Sequence, residues 1–169
     1  MRRLRIDIRA LMGLLLAAFV LAGCWGEPAT GPVPIRFGRD TCDVCRMIIS
    51  DPRYAAQVRG GPKHRAYKFD DIGELVLWLD KQSWKDDPKT EIWVMDSAAG
   101  KTWLNAATAY YLKHSHTPMD YGFGAVEAAE TGAITYKQMV EKVRERGSTY
   151  HCAPDGTVIF DRREFRKDK

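Results

Sequence analysis

Polar and apolar residues alternate over 54–59 (Tyr-Ala-Ala-Gln-Val-Arg), a strand pattern. Gly60-Gly61-Pro62-Lys63 supplies turn chemistry, and 64–69 returns as a second strand, so the two form a hairpin. Asp70-Asp71 can cap a helix start. Ile72, Leu75, Val76 and Leu79 then repeat at helical spacing on one face, which predicts a helix to about Lys81. Asp86-Asp87-Pro88 breaks it, and 92–95 (Ile-Trp-Val-Met) reads as a third strand. The order is strand, strand, helix, strand.

The second half is less regular. Residues 103–105 read as a short strand, 106–113 as a helix or a strand, and Thr117-Pro118-Met119 interrupts. Residues 121–126 alternate glycine with apolar residues, like a strand in close contact. Met139, Val140 and Val143 mark a helix over 135–146 that ends near Gly147, and 158–160 forms a final short strand. Strand–helix elements in both halves fit an α+β fold of two small α+β units, about 35–98 and 99–165, inside a domain spanning 35–165. Side-chain similarity between the halves is too slight to establish a duplication.

The amino terminus follows another rule. Arg2, Arg3, Arg5 and Arg9 precede an uncharged apolar run from Leu11 to Leu21, closed by Leu21-Ala22-Gly23-Cys24. This is a secretory leader over 1–23, too short to span a membrane comfortably. Its last four residues resemble the bacterial lipobox, which implies cleavage before Cys24 and lipid attachment to the Cys24 sulfur. Residues 24–34, rich in Pro and Gly, read as a semi-extended tether between lipid and domain.

Removal of the leader takes away four Arg and one Asp from 26 basic and 22 acidic residues, leaving 22 and 21, a net charge of +1. No basic field remains to suggest nucleic acid as a partner. With Cys24 lipidated, Cys42, Cys45 and Cys152 remain, an odd number for an exported chain. Thiols in such a compartment stay reduced only if protected or metallated.

Asp40 to Met47 (Asp-Thr-Cys-Asp-Val-Cys-Arg-Met) carries the chemistry. Cys42, Cys45 and Met47 put two thiols and a thioether in one short loop, and soft donors select soft metals, Cu(I) above all. A Cys-x-x-Cys alone is ambiguous, reading as a redox pair, half a zinc site or a copper site. Thioethers are rare at zinc. The redox reading wants a helix opening at the motif, and Asp51-Pro52 stops one almost at once. His114-x-His116 would be the second half of a zinc site. Met119, after Pro118 and between polar neighbours Thr117 and Asp120 that argue against core packing, is a soft-ligand candidate on an irregular segment; a loop methionine covering apolar surface is the alternative. His64 reads as a surface residue, Met95 and Met139 as core. Nothing in the pattern chooses a role for His151 and Cys152.

Taken together, the lipobox, Asp-x-Cys-x-x-Cys-x-Met, the Phe69-Asp70-Asp71-Ile72-Gly73 helix opening and Thr117-Pro118-Met119 before a glycine-interrupted strand resemble the NosL family, copper lipoproteins of nitrous oxide reductase maturation. The resemblance covers most of 24–146. It implies a periplasmic Cu(I) chaperone with two ββαβ-type units, a topology otherwise like organomercurial lyase. On it the family's Cys-x-Met falls on Cys45 and Met47 and its Pro-Met on Met119; Cys42 is less regular in the family, and 151–152 lie beyond the match.

The expectation is therefore a membrane-anchored, periplasm-facing protein that binds Cu(I) through Cys42, Cys45, Met47 and Met119. It would deliver the ion to nitrous oxide reductase or another copper enzyme by ligand exchange, without catalysis. The rivals are a thiol–disulfide oxidoreductase using Cys42 and Cys45, a lyase by fold analogy, and a structural lipoprotein with an incidental cysteine pair.

Overall fold

The computed structural model describes residues 29–147 and the backbone of two short strands at 150–152 and 158–160. The leader, Cys24 and the side chains of His151 and Cys152 lie outside the described residues. The fold is α+β. A four-stranded antiparallel sheet has the order β2-β1-β3-β4, built from β1 (Ala56–Gly60), β2 (Arg65–Phe69), β3 (Glu91–Met95) and β4 (Trp103–Asn105). A three-stranded sheet has the order β6-β5-β7, from β5 (Tyr110–Lys113), β6 (Phe123–Val126) and β7 (Ile134–Thr135). Helices α1 (Ile72–Leu79) and α2 (Tyr136–Arg146) complete the body, and β8 (Tyr150–Cys152) pairs with β9 (Val158–Phe160) as a separate hairpin. The two larger sheets meet where the chain beyond β3 bridges β6 in parallel, Asp96 to Ala125.

The first half follows its pattern closely. Cross-strand partners share a face. Ala56, Phe69 and Val94 are partners, as are Val58, Tyr67 and Ile92. Phe69 and Tyr67 both lie against the Trp78 ring of α1, which identifies this face as the helix-covered one. Gln57 and Arg59 therefore point to the opposite face, yet both are buried. Their cover is the chain segment before the domain. Val33 N–H donates to Gln57 Oε1 at 2.8 Å, Gln57 Nε2 donates to Val33 O at 3.1 Å, and Arg59 Nε donates to Gly31 O at 3.1 Å. Gly31 N–H donates to Glu91 Oε2 at 2.7 Å. The stretch read as a tether is thus bound to the sheet from Gly31 onward.

The second half shows where the pattern was ambiguous. Residues 106–109 are a turn, begun by Asn105 accepting from Ala107 N–H, and the strand starts only at Tyr110. Helix α2 opens on a capping box, Thr135 with Gln138. It packs against α1, and Arg144 forks onto Asp80 at 2.6 and 2.7 Å. Strands β7 and β8 are too short to carry a legible alternation. Met95 and Met139 are core residues, as their positions imply.

Candidate metal centre

The cysteine loop is a tight hairpin of its own. Thr41 and Ile48 bridge across its base, Cys42 N–H donates to Met47 O at 2.8 Å, and Ile49 N–H donates to Asp40 O at 2.9 Å. Arg46 turns the chain with φ 64°, the left-handed region that a non-glycine residue adopts only under constraint. The loop clips to the edge of β2: Asp43 N–H donates to Lys68 O at 2.8 Å, and Lys68 N–H donates to Asp43 Oδ2 at 2.7 Å. Lys68 Nζ reaches Asp40 at 2.6 Å and helps hold that carboxyl down at about 2. This anchoring turns Cys42, Cys45 and Ile49 inward, at 0–2% exposure, and leaves Met47 at 37% and Ile48 at 54%.

The inward thiols meet the start of α1. Sγ of Cys42 donates to Glu74 Oε2 at 2.9 Å, and Sγ of Cys45 lies 4.0 Å from Asp70 Oδ2. One ligand atom from each of Cys42, Cys45, Asp70 and Glu74 falls within 4.8 Å of every other, and all four residues are buried. Two thiols and two carboxyls in such a space form a group that can hold a metal ion. Asp70 Oδ1 is buried without a hydrogen-bond partner among the described residues. An orphaned lone pair there costs roughly 1–3 kcal/mol and is relieved by a cation or a proton.

Burial favours the protonated forms of Cys42, Asp70 and Glu74. Burial, with Cys42 and Asp70 nearby, pushes Glu74 up to about 10. Burial raises Asp70 as well. The Cys42 thiol is raised by its hydrogen bond with Cys45, by burial and by Asp70. At neutral pH the Cys42 thiol and Glu74 hold their protons, and a metal would have to displace protons to enter.

Asp71 does different work. It caps α1, accepting from Gly73 N–H at 2.9 Å, and its other oxygen accepts from the Thr117 hydroxyl and from Met119 N–H at 3.2 Å. Burial lifts it to about 6. This one carboxyl ties the irregular segment 117–122 to the helix. It also corrects the expectation that Met119 sits away from the core: the segment is irregular, but its docking leaves Met119 at 2% exposure in the same core as both cysteines. Met47 instead lines a surface cleft of about 420 Å3, together with Asp70, Tyr54, His116, Thr117 and Pro118. His116 is exposed there, while His114 turns to Tyr54, Nδ1 to hydroxyl 3.5 Å. His64 is half-buried beside Glu91.

Sequence reasoning missed Asp70 and Glu74. It read Asp70 with Asp71 as a helix cap, and only Asp71 caps. Asp70 lies ahead of the cap, outside the helix, so helical spacing does not pair it with Glu74; only the fold brings the two acids together.

No family model matches the chain, and no curated protein matches it. Among solved structures, the chain is similar to the crystal structure of the copper chaperone NosL from Shewanella denitrificans, at 16% identity and a TM-score of 0.49, over 69% of this chain and 89% of that one.

Proposed function

We propose that this protein captures Cu(I) at Cys42 and Cys45 and passes it on by ligand exchange from a membrane-anchored position facing the periplasm. The observation that carries the reading is the convergence of two buried thiols with Asp70 and Glu74 beside a cleft lined by Met47. Thiolates select Cu(I) over hard cations, and a neutral thioether at the mouth gives a departing ion a weaker intermediate ligand. The carboxyls suit a supporting role, because oxygen is a poor ligand for a soft ion. Once the Cys42 proton leaves, protonated Glu74 donates to the thiolate across the same 2.9 Å contact. Met119 lies in the same buried core as the cysteines, which suits it to serve as a further sulfur ligand. The acceptor is a copper enzyme, nitrous oxide reductase first among them, as the NosL resemblance implies.

The oxidoreductase reading has the proximity of the thiols in its favour but lacks an attacking group. A redox nucleophile is an exposed thiolate of lowered pKa. Both thiols are buried, and Cys42 is raised.

Competition with a Cu(I) chelator tests the proposal. The wild type binds one Cu(I) tightly and Cys45→Ser loses on the order of 100-fold or more in affinity, about 2.8 kcal/mol or more. Undiminished binding by Cys45→Ser, or disulfide-reductase turnover without copper binding, would sink it.

A further inference from the structure

The outer face of the first sheet holds the incoming chain, and the direction of that chain orients the molecule. Val33 lies at the level of Gln57, and Gly31 at the level of Arg59 and Glu91. Ala29 and Thr30 line a groove with Gly60, Gly61, Pro62 and His64 at the tip of the β1–β2 hairpin. The segment therefore runs antiparallel to β1, from the hairpin tip toward the cysteine loop. Gln57, at 1% exposure, spends both ends of its amide on the Val33 backbone, in the manner of a strand pairing. Val33 itself is 2% exposed. This is a fixed strap, not a leash.

The candidate metal centre lies at the other end of the same strands. Ala56 pairs with Phe69, next to Asp70, whereas Gly60 pairs with Arg65 at the turn. The four steps between them span about 13 Å. Only residues 25–28 separate Cys24 from the described chain at Ala29, a reach of at most about 18 Å.

We infer that the hairpin pole, marked by exposed Pro62, Lys63, Pro88 and Lys89, is the face held against the bilayer headgroups, so that the cleft beside Cys42 and Cys45 points away from the membrane toward its partner. The inference rests on the lipid anchor of the proposed function. Charge is not what holds this face: exposed Asp86 and Asp87 offset the two lysines, and the docked strap, which meets the sheet at this pole, sets the geometry.

Lysine acylation of the full-length lipidated protein on phosphatidylethanolamine–phosphatidylglycerol vesicles, read by mass spectrometry against soluble Cys24→Ser protein, tests it. Lys63 and Lys89 become at least about threefold slower to react on vesicles. Lys101, exposed on the β3–β4 loop that packs on Arg53 beside the cleft, keeps its rate. A flexible ten-residue Gly/Ser insertion after Pro28 keeps the protein on the vesicles and restores the rates of Lys63 and Lys89. Equal protection of all three lysines, protection of Lys101 instead, or no protection of a protein that co-sediments with vesicles overturns the orientation alone. Failure of the lipidated protein to co-sediment overturns the anchor, and the orientation with it.

Discussion

Glu74 shows how much one buried contact can decide. It sits at the third position of α1, where a carboxylate would ordinarily favour the helix dipole. Burial beside Cys42 makes it a neutral acid instead. If its role is to donate to the Cys42 thiolate, an amide replaces it well. Glu74→Gln is expected to keep Cu(I) affinity within about threefold, while Glu74→Leu loses roughly 10–100-fold, the usual cost of a lost supporting hydrogen bond at a metal ligand. Equal losses in a chelator titration would mark Glu74 as a direct ligand. The same protons set a pH dependence. Asp71 rises from an ordinary 3.8 to about 6 and Glu74 from 4.5 to about 10, so the folded chain keeps protons that the unfolded chain releases. Their contribution is complete below about pH 4 and is lost as pH rises through the folded values. Asp40, held down at about 2, contributes equally across pH 5–8. The apo protein should therefore show a lower urea midpoint at pH 8 than at pH 5, and Glu74→Gln should flatten the profile above pH 6. Copper affinity should move the other way, rising with pH as displaced protons become easier to lose.

At the scale of elements, α1 is held by its first turn. Gly73 lies so close to the Tyr121 ring that an added Cβ would fall within it. Gly73→Ala must push apart the helix and the 117–122 segment, an overpacking cost of about 1–3 kcal/mol. Thr117→Val removes one donor to Asp71 and one acceptor for Gly122 N–H, at a similar cost of about 1–3 kcal/mol. Both changes should lower the denaturation midpoint, and hydrogen exchange should rise first over 117–122. A Thr117→Val protein with unchanged exchange in that segment would show that Asp71 does not clamp it. The cysteine loop depends in the same way on Lys68, which offers backbone groups to Asp43 and an ammonium to Asp40.

The whole molecule assembles the candidate centre from two distant parts, 42–45 and 70–74, so the site exists only in the folded chain. An ion that binds the native state alone stabilises it by mass action, about 2.7 kcal/mol at a hundred times its dissociation constant. Cu(I) should raise the melting temperature of the wild type and should raise that of Cys45→Ser much less. Zn(II) is the informative control. Two thiols with two carboxyls also make an acceptable zinc set, so a Zn(II) shift larger than the Cu(I) shift would assign the carboxyls as ligands and reverse the metal preference proposed here.

The sequence by itself determined the elements with strong local signals. The β1–β2 hairpin rests on period-two alternation around Gly60-Gly61, α1 on helical spacing after the Asp70-Asp71 cap signal, α2 on helical spacing, and the two thiols on Cys-x-x-Cys itself. These are short-range properties, carried within a few residues. What only the tertiary structure decided is long-range. Asp70 and Glu74 became partners of the thiols because the loop clips to β2, 25–32 residues away in the chain. Met119 became buried because Asp71 reaches back to its backbone, 48 residues away. Gln57 and Arg59, polar residues on what looked like a solvent face, are covered because 31–34 docks on them. Alternation tells which residues share a face. It does not tell which segment will cover that face, because covering depends on chain that is distant in sequence and near only in the fold.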